Sequence, residues 1–175
     1  MHRYRTHTCG ELRKENVHEI VKLSGWIHSV RDHGGIIFID LRDHYGLTQI
    51  VIDPSQPFYK GVEHWRVETT ICFTGQVVDR IPDAINPKLP TGDIEVVARE
   101  METLGESKVL PFQVSKEEEC NETLRLEYRF LDLRRESLHN NLILRSRVIS
   151  RMRELMTAEG FMEIQTPILT SSSPE

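Results

Sequence analysis

Hydrophobic and polar residues alternate through much of the first hundred positions, as they do in strands that bury one face. The alternation predicts strands over residues 17–30, 36–41 and 47–52. The chain is expected to turn between them at residues 33–35, where paired glycines accept positive φ, and at residues 43–46. The first part of the chain is therefore predicted to be a meander of three consecutive strands.

The pattern changes at Pro54, because proline cannot continue a ladder of hydrogen bonds. Residues 56–69 are predicted to be helical, since apolar and aromatic side chains recur there at helical spacing. A fourth and a fifth strand are expected over residues 71–78 and 93–99. Three strands, a helix and two strands is the connectivity of the five-stranded OB-fold barrel. The predicted fold class is therefore mainly β, with an OB-fold barrel over residues 1–105.

Residues beyond this barrel are expected to form a connector and hinge over residues 106–136 and the start of another domain over residues 137–175. A long amphipathic helix is predicted over residues 137–159, and a strand over residues 161–169 that Pro167 interrupts. Two elements cannot bury their apolar faces against each other alone. We therefore expect either that the chain is the front portion of a larger protein or that this helix and strand pair with a second copy.

The second strand carries the first candidate for a binding site. Strand periodicity places Phe38 on the face opposite Ile39, with Arg31, Arg42 and Gln49 nearby. Single-stranded nucleic acid stacks its bases on aromatic rings, and arginine neutralises its phosphates. Periodicity alone favours the other interpretation, in which Phe38 is a core residue. The OB-fold connectivity strengthens the binding interpretation, because this fold binds oligonucleotides on the face of strands two and three.

Composition limits the choice without deciding it. The formal net charge is −5, so no overall basic field indicates nucleic acid, although a local patch would suffice. The three cysteines are far apart and match no zinc-binding spacing, which predicts reduced thiols and no metal site. No segment is apolar enough for a signal peptide or a membrane span, and a cytoplasmic protein with no membrane partner is expected.

Several stretches resemble the bacterial-type aspartyl-tRNA synthetases, and together they cover nearly the whole chain. Residues 25–49, with the runs RDHGG and FIDLRD, resemble the anticodon-binding domain. Residues 128–135, YRFLDLRR, resemble the hinge, and the helix before Gly160 with residues 161–169 resembles motif 1 of the class II enzymes. The hinge and motif 1 are shared with lysyl and asparaginyl relatives, whereas the first run favours the aspartyl enzymes.

The resemblance implies roles for particular residues in binding the anticodon. Phe38 is expected to stack under the middle anticodon base, and Gln49 to hydrogen-bond a base edge. Glu95 is expected to read the first base, and Arg31 and Asp32 to lie beside the anticodon, with Arg31 holding a phosphate or a base. Bases in a single-stranded loop can splay out and be read in this way.

At the position of His33, some members of the family that the chain resembles have leucine and others have histidine. The histidine form accompanies enzymes that also charge the asparagine tRNA, so the parent protein is expected to use tRNA-Asp and, on this interpretation, tRNA-Asn. A neutral imidazole can both donate and accept a hydrogen bond, which would tolerate two bases. The alternative is that His33 is only a turn residue beside two glycines.

For the parent protein, the resemblance implies an ATP- and Mg²⁺-dependent ligase that forms aspartyl-adenylate and transfers aspartate to tRNA. Motif 1 builds the homodimer in this family, and the matching interface residues here are Leu142, Ile149, Met152 and Pro167. Glu175 matches a residue near the substrate amino group. Motifs 2 and 3 do not occur in these 175 residues, so no catalytic residue or cofactor is expected within them. We expect this chain to bind tRNA without aminoacylating it.

Two other functions are compatible with the same residues. The chain could be a free-standing OB-fold module for single-stranded nucleic acid, with the helix and strand after residue 137 as a dimerising tail. It could also be part of a lysyl or an asparaginyl synthetase, since these share the hinge and motif 1. Anticodon preference separates the aspartyl enzyme from its relatives.

Overall fold

The computed structural model describes residues 2–116 and 120–169, apart from the side chains of residues 63 and 64. The chain divides into two compact units, Met1–Ser115 and Lys116–Glu175. The three-part division expected from the sequence, with a separate hinge over residues 106–136, stays a prediction.

The first unit is a five-stranded barrel, as the sequence predicts. Its strands are β1 (Ile20–His33), β2 (Ile36–Arg42), β3 (Leu47–Ile52), β4 (Thr70–Asp79) and β5 (Ile94–Gly105). They close in the order β1-β2-β3-β5-β4, and every neighbouring pair is antiparallel except β3 with β5. Because β4 also pairs with β1, the sheet closes on itself, and neither of these two strands is left as an exposed edge.

One face of each strand fills the barrel with aliphatic side chains. In β2, Ile37, Ile39 and Leu41 are buried and the residues between them are not, which confirms the predicted alternation. In β4, Phe73 is the largest fully buried side chain. Trp65 packs edge-on against it, with 6.0 Å between the ring centroids. The outer face of β2 is therefore left for other contacts.

The helix predicted over residues 56–69 is shorter and tighter than expected. The structure has a 3₁₀ helix at Tyr59–His64, and β4 begins at Thr70. Val62 nevertheless reaches the core, with Phe58 and Trp65 packed beside it. Helical spacing over so few turns fits either helix type, and 3₁₀ turns are common in short connectors. Two more 3₁₀ turns occur at Lys14–Asn16 and Pro82–Ala84.

Within residues 120–169, the second unit has three helices, α1 (Glu122–Glu127), α2 (Arg129–Asp132) and α3 (Glu136–Ala158). The last of these confirms the long helix, and no residue of it is buried. The strand expected over residues 161–169 is not formed: these residues have no regular secondary structure and are exposed. A strand needs a neighbour to complete its hydrogen bonds, and none pairs with this segment among the described residues.

Candidate nucleic-acid interface

A groove of about 490 Å³ lies on the outer face of the barrel, between the first three strands and the loop that joins β4 to β5. The strands contribute His28, Arg31, His33, Phe38, Asp40, Leu47 and Gln49, and the loop contributes Arg80, Ala84, Asn86 and Leu89. Aromatic, cationic and amide side chains therefore meet in one concave site. This is the combination that suits unstacked bases and their phosphates.

A β-bulge in β1 turns the groove residues outward. The pairing of β1 with β2 shifts register between Ile27 and Ser29, so that Ser29 lies opposite Asp40 and Arg31 opposite Phe38. In a regular strand, Ser29 and Arg31 would share the inward face of Ile27, since side chains repeat every two residues. The extra residue of the bulge, His28, reverses that phase and places Arg31 in the groove.

Phe38 lies in the groove and outside the barrel core. Its side chain is half-buried, whereas Ile37 and Ile39 on either side of it are buried in the barrel. The imidazole of His33 meets the ring edge-on, with 5.8 Å between ring centroids and 70° between planes. The interpretation of Phe38 as a core residue is therefore wrong.

A chain of hydrogen bonds brings together three of the predicted site residues. Nη2 of Arg31 donates to Oε1 of Gln49 at 3.2 Å, and Nε2 of Gln49 donates to Oε2 of Glu95 at 2.8 Å. Gln49 is 7% exposed, so its amide is fixed between a cation and a carboxylate. A glutamine amide has two N–H groups, and Glu95 occupies only one of them.

Asp32, in contrast, belongs to the hairpin turn. Its Oδ1 accepts a hydrogen bond from the backbone N–H of Gly35 at 2.9 Å. Gly34 and Gly35 both have positive φ, 65° and 93°, which confirms the predicted turn. The hydroxyl of Tyr59 donates to the carbonyl of Gly35 at 2.6 Å and ties the 3₁₀ helix to this turn. Asp32 thus shapes the edge of the groove without lining it.

Arg80 is the groove residue that sequence reasoning missed. It is 7% exposed, with Nε donating to the carbonyl of Ile94 at 2.9 Å and Nη1 to that of Ala84 at 3.4 Å. Its Nη2 is buried and has no partner among the described residues. Burial lowers the pKa of this guanidinium, and the carboxylates of Glu95 and Asp40 oppose the shift. In the sequence, the signal that could have indicated Arg80 is an arginine directly after the fourth strand, at the start of the loop beside the OB-fold binding face.

The second unit carries its own charged cluster. Asp132 is fully buried and accepts hydrogen bonds from Nε of Arg125 at 3.0 Å and Nη1 of Arg129 at 2.6 Å. Nη1 of Arg135 lies 3.7 Å from the same carboxylate. Asp132 raises the pKa of Arg125 through this hydrogen bond and its charge. The cluster fixes the α1–α2 turn, the stretch that resembles the hinge.

Residues proposed for the dimer interface are exposed within the second unit. Leu142, Ile149 and Met152 are 43%, 36% and 60% exposed on α3, and a groove of about 360 Å³ runs beside Ile149 and Met152. Pro167 lies in the irregular segment after the helix, and Glu175 lies outside the described residues.

The described residues bring no three histidine, cysteine or acidic side chains together as metal ligands. Within the same residues, no helix combines the length and the apolar character needed to cross a membrane.

Two family models match the chain in succession. The model of the OB-fold nucleic acid binding domain matches residues 21–104, and the model of the class II tRNA synthetases (D, K and N) matches residues 121–175. Curated relatives named aspartate–tRNA(Asp/Asn) ligase match the whole chain, at 58% identity in Phenylobacterium zucineum and 57% in Brucella ovis. The chain spans about 30% of the length of these relatives.

Solved structures agree on the fold. An aspartyl-tRNA synthetase from Entamoeba histolytica matches 95% of the chain with a TM-score of 0.82 at 20% identity, over 40% of its own length. The asparaginyl-tRNA synthetase from Pyrococcus horikoshii matches 95% of the chain with a TM-score of 0.81 at 23% identity, over 37% of its length. The chain thus joins a region similar to the OB-fold nucleic acid binding domain to a region similar to the class II tRNA synthetases (D, K and N), and its similarity to the aspartate–tRNA(Asp/Asn) ligases extends over its whole length.

Proposed function

We propose that the first unit of this chain binds the anticodon loop of tRNA-Asp as part of an aspartate–tRNA ligase. The observation that carries the proposal is the position of Phe38, whose half-buried ring lies in the groove beside the Arg31–Gln49–Glu95 chain. One base stacks on the ring, while the amide and the carboxylate read base edges. Single-strand contacts of this kind suit an anticodon loop better than a duplex.

Arg80 adds to this proposal a contact that the sequence did not indicate. Its buried Nη2 is a donor without a partner among the described residues, and an unpaired buried donor is costly. Because Arg80 lines the groove, its positive charge lies close to any phosphate that enters there. If Arg31, Arg80 and one further cation neutralise about three phosphates, log affinity should fall with log salt at a slope of about −2.

Binding of the 175-residue chain to anticodon-stem hairpins of the aspartate, asparagine and lysine tRNAs tests the proposal at fixed salt. Preference for the aspartate hairpin, or for the aspartate and asparagine hairpins together, supports it. Preference for the lysine hairpin would indicate a lysyl enzyme. Equal binding of all three would leave a general single-strand binding module, as in the alternative considered from the sequence.

We propose His33 as the residue that admits tRNA-Asn as well as tRNA-Asp. The imidazole is exposed in the groove and touches the ring of Phe38, so it lies close to whichever base stacks there. The relatives named aspartate–tRNA(Asp/Asn) ligase support this proposal. His33→Leu should lower binding of the asparagine hairpin relative to the aspartate hairpin. If the variant binds both hairpins with the wild-type ratio, His33 is only a turn residue.

We propose that the parent ligase is cytoplasmic, uses ATP and Mg²⁺ to activate aspartate, and dimerises through motif 1. The exposed residues Leu142, Ile149 and Met152, with Pro167, supply the apolar surface that the dimer would cover. The 175 residues contain neither motif 2 nor motif 3, so they should bind tRNA without catalysis. Aspartate-dependent ATP–pyrophosphate exchange by the purified 175-residue chain would contradict this. Sedimentation of wild type and Met152→Asp would test the interface.

A further inference from the structure

Asp40 lines the groove and has no role in the function proposed so far. It sits on β2 between two register partners, Ser29 on β1 and Gln49 on β3. Its Oδ2 accepts a hydrogen bond from Oγ of Ser29 at 2.6 Å, and its Oδ1 accepts one from Nη2 of Arg31 at 2.8 Å. Both oxygens are therefore engaged, and the carboxylate has a single orientation.

The nitrogen that binds Asp40 is the same one that reaches the base reader. Nη2 of Arg31 donates at 2.8 Å to Asp40 and at 3.2 Å to Oε1 of Gln49. Asp40 thus holds the guanidinium where it fixes the oxygen of the Gln49 amide, and Glu95 fixes the nitrogen. An amide that could rotate by half a turn would present a donor or an acceptor to the same base, and would discriminate poorly.

The ion pair with Asp40 also reduces the electrostatic attraction of Arg31 for RNA phosphates. The Arg31 side chain is 47% exposed and that of Asp40 only 17%, so the ion pair lies at the boundary between groove and solvent. A guanidinium paired with a carboxylate attracts phosphate less than an unpaired one, and phosphate attraction is independent of base sequence. The pair therefore weakens binding that would be common to all loops.

We propose that Asp40 is a positioning residue for base discrimination. It orients Arg31 and, through it, the amide of Gln49, and it suppresses the sequence-independent attraction of Arg31 for phosphate. The inference rests on the proposed anticodon function. It concerns a residue that acts through another, since the reader remains Gln49.

The test compares Asp40→Asn with wild type on two hairpins, one with the aspartate anticodon and one with its middle base replaced. Asparagine keeps the size of the side chain and the acceptor for Ser29 but removes the charge. We expect the affinity ratio between the two hairpins to fall about tenfold, within the range of one lost base contact. The binding slope against salt should become steeper by up to about 0.7, equivalent to one phosphate on a single strand.

Glu100→Gln is the matched control, because Glu100 is an exposed carboxylate on β5 that does not line the groove. It makes the same change of charge and should leave the ratio within twofold of wild type. In a Gln49→Ala background, Asp40→Asn should cause no further fall in the ratio. Thermal unfolding of each variant separates discrimination from stability, and Ser29→Ala, which loosens the same carboxylate, replaces Asp40→Asn if that variant does not fold.

An unchanged ratio in folded Asp40→Asn, with wild type discriminating normally, would overturn the inference and leave the anticodon function intact. A fall in ratio that persists undiminished in the Gln49→Ala background would also overturn it, because Asp40 would then act independently of Gln49. A wild-type chain that does not distinguish the two hairpins would instead refute the proposed function itself.

Discussion

Replacing Phe38 and Phe73 by alanine, one at a time, should separate binding from folding. The two rings have the same size, and one lies on the outer face of the barrel while the other lies in its core. Phe38 is half-buried on the outer face of β2, and Phe73 is fully buried in the core on β4. If the groove binds RNA by stacking, the first substitution should reduce affinity and the second should reduce stability.

The magnitudes follow from what each ring contacts. A base stacked on an aromatic side chain contributes about 1–3 kcal/mol by alanine substitution, so Phe38→Ala should weaken hairpin binding by about 5- to 150-fold. A fully buried phenylalanine costs about 3–5 kcal/mol when truncated, which is the expected loss of unfolding free energy for Phe73→Ala. Because Phe38 buries only part of its ring, Phe38→Ala should lower the unfolding free energy by about half as much as Phe73→Ala, or less.

Fluorescence anisotropy with a labelled aspartate anticodon hairpin measures the first effect, and urea unfolding measures the second. Tryptophan emission reports unfolding well here, since Trp65 packs against Phe73 in the core. The reasoning is refuted if Phe38→Ala binds the hairpin as wild type does while staying folded. It is equally refuted if Phe38→Ala loses as much stability as Phe73→Ala.

Four further predictions concern the first unit. Glu68→Ala should lower the unfolding free energy by about 3 kcal/mol in urea titrations, because it leaves Arg42 without its buried carboxylate partner. Gly75→Ala should destabilise by about 1–3 kcal/mol in the same assay, since a Cβ there would lie 2.4 Å from a backbone oxygen of β5. Burial raises the pKa of the Cys9 thiol, so at pH 8 mass spectrometry should find Cys9 alkylated much more slowly than half-buried Cys120. The same shift means that stability should fall as pH rises above the ordinary thiol pKa, where the unfolded chain ionises first.

The strands could be predicted from sequence because alternation and turn chemistry agree. The predicted bounds of β3 are those of the structure, and the glycine pair at Gly34 and Gly35 marks the turn before β2. The range predicted for β5, residues 93–99, ends too early: the strand continues to Gly105, where its residues pair with β4 and are largely exposed. Alternation cannot mark the end of a strand that no longer has a buried face.

The groove could be predicted only in part, for a different reason. The sequence places Phe38 on the outer face of a regular strand with Gln49 nearby, and the structure puts both in the groove, whereas the role of Glu95 is implied only by the family resemblance. Arg80 was missed, since its position depends on the fold of the loop between β4 and β5 and on bonds to the carbonyls of that loop and of β5. Loop geometry of this kind comes from long-range contacts that no local pattern contains.

Arg31 illustrates how a conflict in the sequence can itself be informative. Counting in twos from buried Ile27 puts Arg31 inside the barrel, where an unpaired guanidinium would cost several kcal/mol. The inward–outward alternation of β1 must therefore be interrupted between Ile27 and Arg31 if the barrel is to form. In the structure, the bulge before Ser29 interrupts it. The bulge turns Ser29 and Arg31 toward Asp40 and Gln49, so the residue that would have disrupted the core instead completes the polar chain of the groove. An arginine in the wrong phase of a strand is thus a signal of a bulge, and bulges are enriched beside binding sites because they re-aim side chains in this way.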